Sequence, residues 1–516
     1  MGGGVAMGDF DGDGFLDLFF TGSAASGKNP DAGPCGALFR NRGDGTFEDV
    51  TARAGIHSCG WKMGASWVDL DGEGRPDLVV TGVGKTEIWK NLGGGTFREE
   101  SAARGLVAPG YAVGLAAGDV NGDGRVDLYV VGYLDTDYAK ENSFGQFDVR
   151  MPEDYEGQEA KLDVQGADGR FAELAKAAGV LNTGGRGLSA VFFDYDGDGK
   201  PDLYVANDRT TNVLYRNKGD GTFEDVTVEA GAGRRDHKEA RAGMGVAIGD
   251  LDGDGRPEVF VTNFAGEPKT LYRNVEGVLF DDATESSGVE GASLPYVQWG
   301  TDIVDLDDDG RPDLVMVSGH LIPKFIMSMA RLFGNSKSLG PYSHGDRDYK
   351  QRPLVYRNAS GGRLIDATAS SGDFAGLRLA ARGLAAGDVD GDGRVDLVIA
   401  AVAGGVRVMH NATTATGHLL EILPVAGGDK RTVLGTKVIV TAGGVRQVQE
   451  FILRPSYASG AWVPLHFGLG GAAVAEVEIL LPGQTVPSQR FEGVAADRLY
   501  TLRDGRLEEK REILGR

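Results

Sequence analysis

Seven nine-residue runs in this chain place side-chain oxygens at positions 1, 3, 5 and 9 and glycine at position 6. They comprise Asp9, Asp11, Asp13 and Asp17; Asp69, Asp71, Glu73 and Asp77; Asp119, Asn121, Asp123 and Asp127; and Asp194, Asp196, Asp198 and Asp202. Asp250, Asp252, Asp254 and Glu258, then Asp305, Asp307, Asp309 and Asp313, then Asp388, Asp390, Asp392 and Asp396 complete the set. Hard oxygen donors converging on one point are what Ca²⁺ selects, with the backbone carbonyl of position 7 as a further ligand. An EF-hand would add a bidentate Glu at position 12. Phe20, Val80, Val130, Val205, Val261, Met316 and Ile399 stand there instead. The runs therefore read as calcium loops between β-strands, with up to seven structural Ca²⁺ expected. The plain alternative, an acidic turn with no metal, leaves carboxylates repelling one another. Glu73 with its longer arm, Glu258 at position 9 and the neutral Asn121 mark three loops expected to ligate less well.

The loops recur at steps of 60, 50, 75, 56, 55 and 83 residues. Repeats of ~50–60 residues with β character point to propeller blades or a solenoid. In each unit a strand of small residues enters the loop and a β-branched, aromatic strand leaves it, as in DLFFTG, DLYVAND and DLVIAAV. A hairpin follows with a D-G or G-G turn, as in LFRNRGDGTFEDVT and LYRNKGDGTFEDVT. Four strands per unit make one blade. Gly4, Gly64, Gly114, Ser189, Gly245, Gly300 and Gly383 stand five residues before each leading Asp. Close backbone approach at a central axis demands small residues there, so a seven-bladed β-propeller over residues 1–412 is expected. From Thr413 the loops stop, and short strands over 413–506 read as a β-sandwich. The tail 507–516 is charged and reads as a frayed helix.

The 516 residues carry a net charge of −22. Seven bound Ca²⁺ would leave about −8, an ordinary value for a soluble chain. The acidity is thus read as metal ligation, and the absence of a basic footprint argues against a nucleic-acid partner. No apolar run is long enough to span a bilayer. The start, Met1-Gly-Gly-Gly-Val, has no signal-peptide character, although calcium sites of this kind suit millimolar calcium outside the cytoplasm. The seventh unit has no F-x-D-V-T segment for a fourth strand. An upstream segment supplying both a closing strand and a signal peptide would reconcile these facts, and a three-stranded seventh blade is expected. Cys35 and Cys59 fall at the end away from the loops, where a disulfide and two buried thiols both fit.

These blades resemble VCBS/FG-GAP repeats, the calcium-loop blades also found in integrin α-chain propellers. The C-terminal segment resembles an ASPIC/UnbV domain. His466-Phe467-Gly468-Leu469-Gly470 matches that family in full, Gly435-Thr436-Lys437-Val438 matches with Thr for the usual Ala, and Leu481-Pro482-Gly483 is a shortened W-P-S-G. Tyr457-Ala458-Ser459 stands near the G-Y-x-S element, preceded by Arg454-Pro455-Ser456 where Gly is usual. Gly319-His320-Leu321-Ile322-Pro323 and Arg352–Asn358 in blade six look like the same family. The resemblance implies a calcium-binding, secreted or adhesion-related protein without a settled reaction.

The longest connections, Ser23–Gly36, Leu134–Lys161 and His320–Arg352, all join the second and third strands of their units. Long loops on a rigid scaffold usually carry function, so the ligand face is expected at the end opposite calcium. Its candidates are Trp61, Tyr111, Arg186, Asp208, Arg241, Trp299, His320 and Arg382, with His57, Arg209 and His237 nearby. Arg186 and Arg382 are placed to enter the axial channel. Lys324–Phe333 shows helix-like apolar spacing and reads as a lid on the propeller. There is no HExxH, GxSxG, P-loop or CxxC. The expected role is extracellular or periplasmic binding of a glycan or protein partner; the alternative is a lyase- or hydrolase-like enzyme using the axial pocket.

Overall fold

The structure is a computed structural model and describes residues 3–22, 33–135, 152–233, 240–321, 348–403, 405–414 and 417–513. Most of the three long connections, His237 and Lys324–Phe333 lie outside the described residues.

Each unit that carries one of the acidic loops forms one antiparallel meander. The fourth is representative: Gly187–Phe193, Asp202–Asn207, Val213–Asn217 and Phe223–Asp225 pair in chain order. Seven such sheets occur, the seventh having three strands among the described residues, Ala380–Gly387, Asp396–Ala403 and Arg407–Met409. Their inner strands pack side by side in order from Val5–Gly8 through Ala380–Gly387. The last packs back on the first, closing a ring. Val5, Met7 and Leu18 share a core with Ala385, Val389 and Val398 at that closure. The expected propeller is therefore present, and the small inner residues act as anticipated. A Cβ on Gly114 would stand 2.7 Å from Leu188 O, and one on Gly300 2.8 Å from Arg382 O.

The hairpin turns follow from local side-chain bonds. In the first sheet Gly43 N–H donates to Asn41 Oδ1 and Thr46 N–H to Asp44 Oδ1, while Gly43 and Gly45 adopt φ of 74° and 76°. The F-x-D-V-T ending is equally specified. Thr51 donates to Asp49 Oδ1 and its hydroxyl oxygen accepts from Leu38 N–H, so the exit from the fourth strand is tied to the third.

The C-terminal part is a sandwich of two four-stranded sheets. One orders Leu465–Gly470, His418–Pro424, Arg498–Arg503 and Arg506–Glu512; the other orders Val445–Phe451, Thr436–Ala442, Val474–Leu480 and Gln489–Ala495. Leu420, Ile422, Val438, Val440, Phe467 and Ile479 lie in their shared core. The charged tail is not a frayed helix. Arg506–Glu512 is an edge strand paired along Arg498–Arg503, with Leu507 packed inward and the charges outside.

One hairpin leaves the sandwich. Arg454–Ser456 and Ser459–Trp462 pair with each other across a turn at Tyr457 and Ala458, the latter at φ 52°. Ser459–Trp462 then runs parallel to Val5–Gly8, with Ala6 opposite Gly460 and Gly8 opposite Trp462, and Ser459 pairs with Ala65. The outgoing arm, Arg454–Ser456, packs against the inner strands of the fourth to seventh sheets. The hairpin thus fills the ring's axis, and Cβ atoms on Gly4 or Gly64 would run into Ala458 O at its tip.

Candidate functional site

The seven loops repeat one construction. The leading carboxylate collects backbone N–H groups of its own loop: Asp9 Oδ1 accepts from Gly12 at 2.7 Å and Asp13 at 3.1 Å, and Oδ2 accepts from Gly14 at 2.8 Å. Asp194 and Asp250 do the same. The turn requires positive φ at position 6, 96° at Gly14 and 82° at Gly393, which glycine alone adopts freely. Ligand atoms of Asp9, Asp11 and Asp13 fall within 4.8 Å of one another, as do those of Asp194, Asp196 and Asp202, of Asp250, Asp252 and Asp254, and of Asp305, Asp307 and Asp313. Asp390 and Asp396 form a fifth such group with His410, a residue absent from the motif.

The position-9 carboxylate is buried in every loop: Asp17, Asp77, Asp127, Asp202, Glu258, Asp313 and Asp396. Burial raises Asp17 to about 9 and Asp313 to about 8, against the pull of backbone N–H bonds from Asn41 and Asn358. Burial, then the charge of Asp252, raises Glu258 to about 9. Carboxylates desolvated and crowded in this way are short of positive charge, which a divalent cation would supply. Some is already present as side chains. Arg40 stands 2.8 Å from Asp13, Lys90 contacts Asp71, and Arg357 stands 2.8 Å from Asp307. Around Asp119, Arg125 contacts Asp123. Glu73, at position 5 of the second loop, contacts Arg75.

The same carboxylate also anchors a device the motif did not announce. It accepts from the backbone N–H of an Asn in or just after the last part of the third strand: Asn41, Asn91, Asn217, Asn274, Asn358 and Asn411, with Gln165 in the third sheet. The amide of that Asn or Gln then donates to the position-2 carbonyl of the preceding sheet's loop. Asn91 reaches Phe10 O, Gln165 Leu70 O, Asn217 Val120 O, Asn274 Tyr195 O, Asn358 Leu251 O and Asn411 Leu306 O. Asn41 reaches Val389 O in the seventh sheet, so the bonds form a complete circuit at 2.6–3.0 Å. The recurring Asn of L-Y-R-N was the available signal.

The C-terminal sandwich sits on this loop end. Lys437 Nζ stands 2.6 Å from Asp194, Lys510 Nζ 3.1 Å from Asp9 and Arg511 Nη2 3.2 Å from Asp388. Asp194 N–H donates to Glu450, and Thr432 N–H to Gly124 O. His466 is buried, 2.8 Å from Asp308 and 3.6 Å from Glu421. Burial opposes its charge, but the hydrogen bonds to those two carboxylates outweigh it and lift the imidazole to about 10. A cavity of about 420 Å³ remains between the loops of the fifth and sixth sheets and the sandwich, lined by Asp252, Ile303, Arg446, Gln449, Phe451 and His466.

At the opposite mouth most of the predicted ligand-face residues do gather, around the tip of the axial hairpin. Trp299 packs edge-on to Tyr457 at 4.6 Å between ring centres and carries the Arg382 guanidinium 4.3 Å over its face. Arg382 also donates to the carbonyls of Gly319 and His320. Tyr111 meets Trp61 and Tyr133, and Tyr133 donates to Asp208 at 2.7 Å. Burial raises Asp208 to about 6. Here the sequence expectation needs correction. Tyr111, Asp208, Trp299, His320 and Arg382 are buried among the described residues, because the hairpin tip has taken the axial position in which a ligand was imagined. Arg382 lies on Trp299, and Arg186 bonds Tyr155 O, so neither guanidinium is held for an axial ligand. Trp61, Arg186 and Arg241 keep partial exposure. Arg241 donates to Thr270, and Arg209 pairs with Glu267 at 2.6 Å. Cys35 and Cys59 are joined by a disulfide.

The FG-GAP-like repeat family model matches residues 9–80, 69–130 and 194–261, and the ASPIC and UnbV model matches residues 427–509. Cartilage acidic protein 1 of Homo sapiens is 26% identical over 320 residues, 60% of this chain and 43% of the relative. That of Xenopus tropicalis is 24% identical over 308 residues, covering 58% and 42%. The chain thus spans less than half the length of these curated relatives. Among solved structures it is similar to the BP39L lectin of Burkholderia pseudomallei, with 12% identity, TM-score 0.45, and 80% of this chain and 97% of that one covered. A rhamnogalacturonan lyase of Bacillus licheniformis gives 15% identity and a TM-score of 0.39, covering 80% and 72%. The chain thus carries FG-GAP-like repeats and, towards its C-terminal end, an ASPIC and UnbV domain.

Proposed function

We propose that this is a calcium-dependent binding or adhesion protein of an extracellular or periplasmic space, recognising a glycan or protein partner on the ring face opposite the calcium loops. The observation that carries this reading is the sandwich seated across the loop end, which leaves the other face, among the described residues, for a partner. Trp61, Arg186 and Arg241 are partly exposed there, and aromatic and arginine side chains are the usual anchors of recognition. Calcium would be held by the carboxylates at positions 1, 3, 5 and 9 and would act as scaffolding, since each loop is locked into its own sheet. The Cys35–Cys59 disulfide suits an oxidising compartment. No described helix is long and apolar enough to cross a membrane. The enzyme alternative loses ground because the axial space it would use holds the Tyr457 hairpin.

A glycan array and a surface-protein capture screen, both in millimolar calcium, test the reading. Ligands found should bind less tightly to Trp61→Ala and Arg241→Ala. Binding indifferent to these changes, yet abolished by substitutions on the outer face of the sandwich, would overturn the face assignment.

A further inference from the structure

The seventh loop differs from the other six in the residue facing its carboxylates. The residue before the Asn or Gln of the hydrogen-bond circuit is a cation in five sheets, Arg40, Lys90, Arg216, Arg273 and Arg357, and Val164 in the third. In the seventh it is His410. Its Nδ1 stands 2.8 Å from Asp390 Oδ2 and 3.4 Å from Asp396 Oδ1, and its Nε2 3.7 Å from Asp392 Oδ2. Elsewhere the corresponding Arg or Lys presents only donors and positive charge to the loop. An uncharged imidazole presents a nitrogen lone pair.

We propose that the seventh loop is a mixed nitrogen–oxygen site, built by His410, Asp390 and Asp396, that takes a borderline divalent cation such as Zn²⁺ in preference to Ca²⁺. Calcium selects oxygen donors, whereas imidazole favours zinc and its first-row neighbours. Two atoms each about 2.1 Å from a tetrahedral zinc lie about 3.4 Å apart, which the spacing of Nδ1 from Asp396 Oδ1 meets, while its 2.8 Å spacing from Asp390 Oδ2 would open by about 0.6 Å on binding. The group has a buried floor and an open side. Asp396 is fully buried, with Oδ1 and Oδ2 fixed by Asn411 and Val389 N–H groups, while the His410 side chain is 47% exposed. Arg394 contacts Asp392, and its Nη2 lies 3.5 Å from His410 Nε2, the ring nitrogen turned away from Asp390 and Asp396. Three protein ligands and an open position describe an accessible site rather than a closed structural one.

The inference rests on the reading that the loops hold cations, but the two can fail separately, since calcium-dependent melting tests that reading without zinc. Protein saturated with calcium is dialysed against Zn²⁺ in millimolar Ca²⁺, and bound zinc is counted and examined by X-ray absorption. One zinc per chain with a single imidazole ligand is expected. His410→Arg, which copies the commoner repeat, should weaken retention at least tenfold while leaving calcium-dependent melting intact. His410→Gln serves the same purpose should the arginine variant fold poorly. Zinc retained equally by both variants, or no zinc retained by the native chain, would overturn the proposal.

Discussion

At the loop end of the ring, charge is gathered and then covered: carboxylates at every sheet, cations from the sandwich laid over several of them, and an imidazolium buried between two acids. At the other end apolar contact does the work, with Trp299, Tyr457, Tyr111 and Tyr133 meeting around a hairpin tip. The hairpin joins the two, since it starts in the sandwich on the charged side and ends among the aromatics. The ends should therefore answer to different perturbations, ions and pH at one, side-chain volume at the other.

The largest effect should come from removing divalent cations. A chelator should lower stability by several kcal/mol in aggregate, on the order of one or more per occupied loop, with melting temperature rising as calcium is restored. A melting curve indifferent to chelator would mean that the side-chain cations suffice. At the aromatic end, Trp299→Ala should cost about 3–5 kcal/mol in denaturant unfolding and be insensitive to calcium, because it leaves a void beneath Arg382 and Tyr457. A calcium-dependent penalty would show that the two ends are not separable. Next, Asn358→Ala should cost about 1–3 kcal/mol by orphaning Leu251 O and Pro312 O.

The pH response sharpens the comparison further. Asp17, Glu258 and Asp313 have folded values raised to about 9, 9 and 8, so in chelator the native state binds protons that the unfolded chain releases. Their contribution is fully present below about pH 4 and is lost as pH rises toward 9. Melting temperature in chelator should therefore fall between pH 5 and 9, and calcium should flatten the slope. The smallest effect belongs to the exposed face. Arg241→Ala should change stability by less than about 0.5 kcal/mol, measured by the same denaturant titration, while weakening partner binding.

What was legible in the sequence was local and repeated. The loops, the glycine-bearing turns and the small inner residues each specify their geometry within a few positions of chain. What was not legible depended on partners far away. Arg454–Trp462 lies within the segment read as sandwich, and nothing in it names Val5–Gly8, some 450 residues earlier, as its neighbour. Its insertion is why Arg382 and Trp299 proved to be supports rather than contacts. The Asn circuit was half visible: the residue recurs, but its acceptor belongs to another unit. The tail misled because RLEEKRE is rich in charge, and only its pairing shows a strand with one face turned outward.

That circuit gives the molecule a property no single bond has. A linear array of repeats ends in members held from one side only, and these fray first. Here every sheet both gives and receives, and Asn41 on Val389 O returns the series to its start. Such a hoop has no last link. One cut leaves all seven sheets joined in an open chain, and a second is needed to divide them, so damage to one link is shared around the rim instead of peeling inward from an edge.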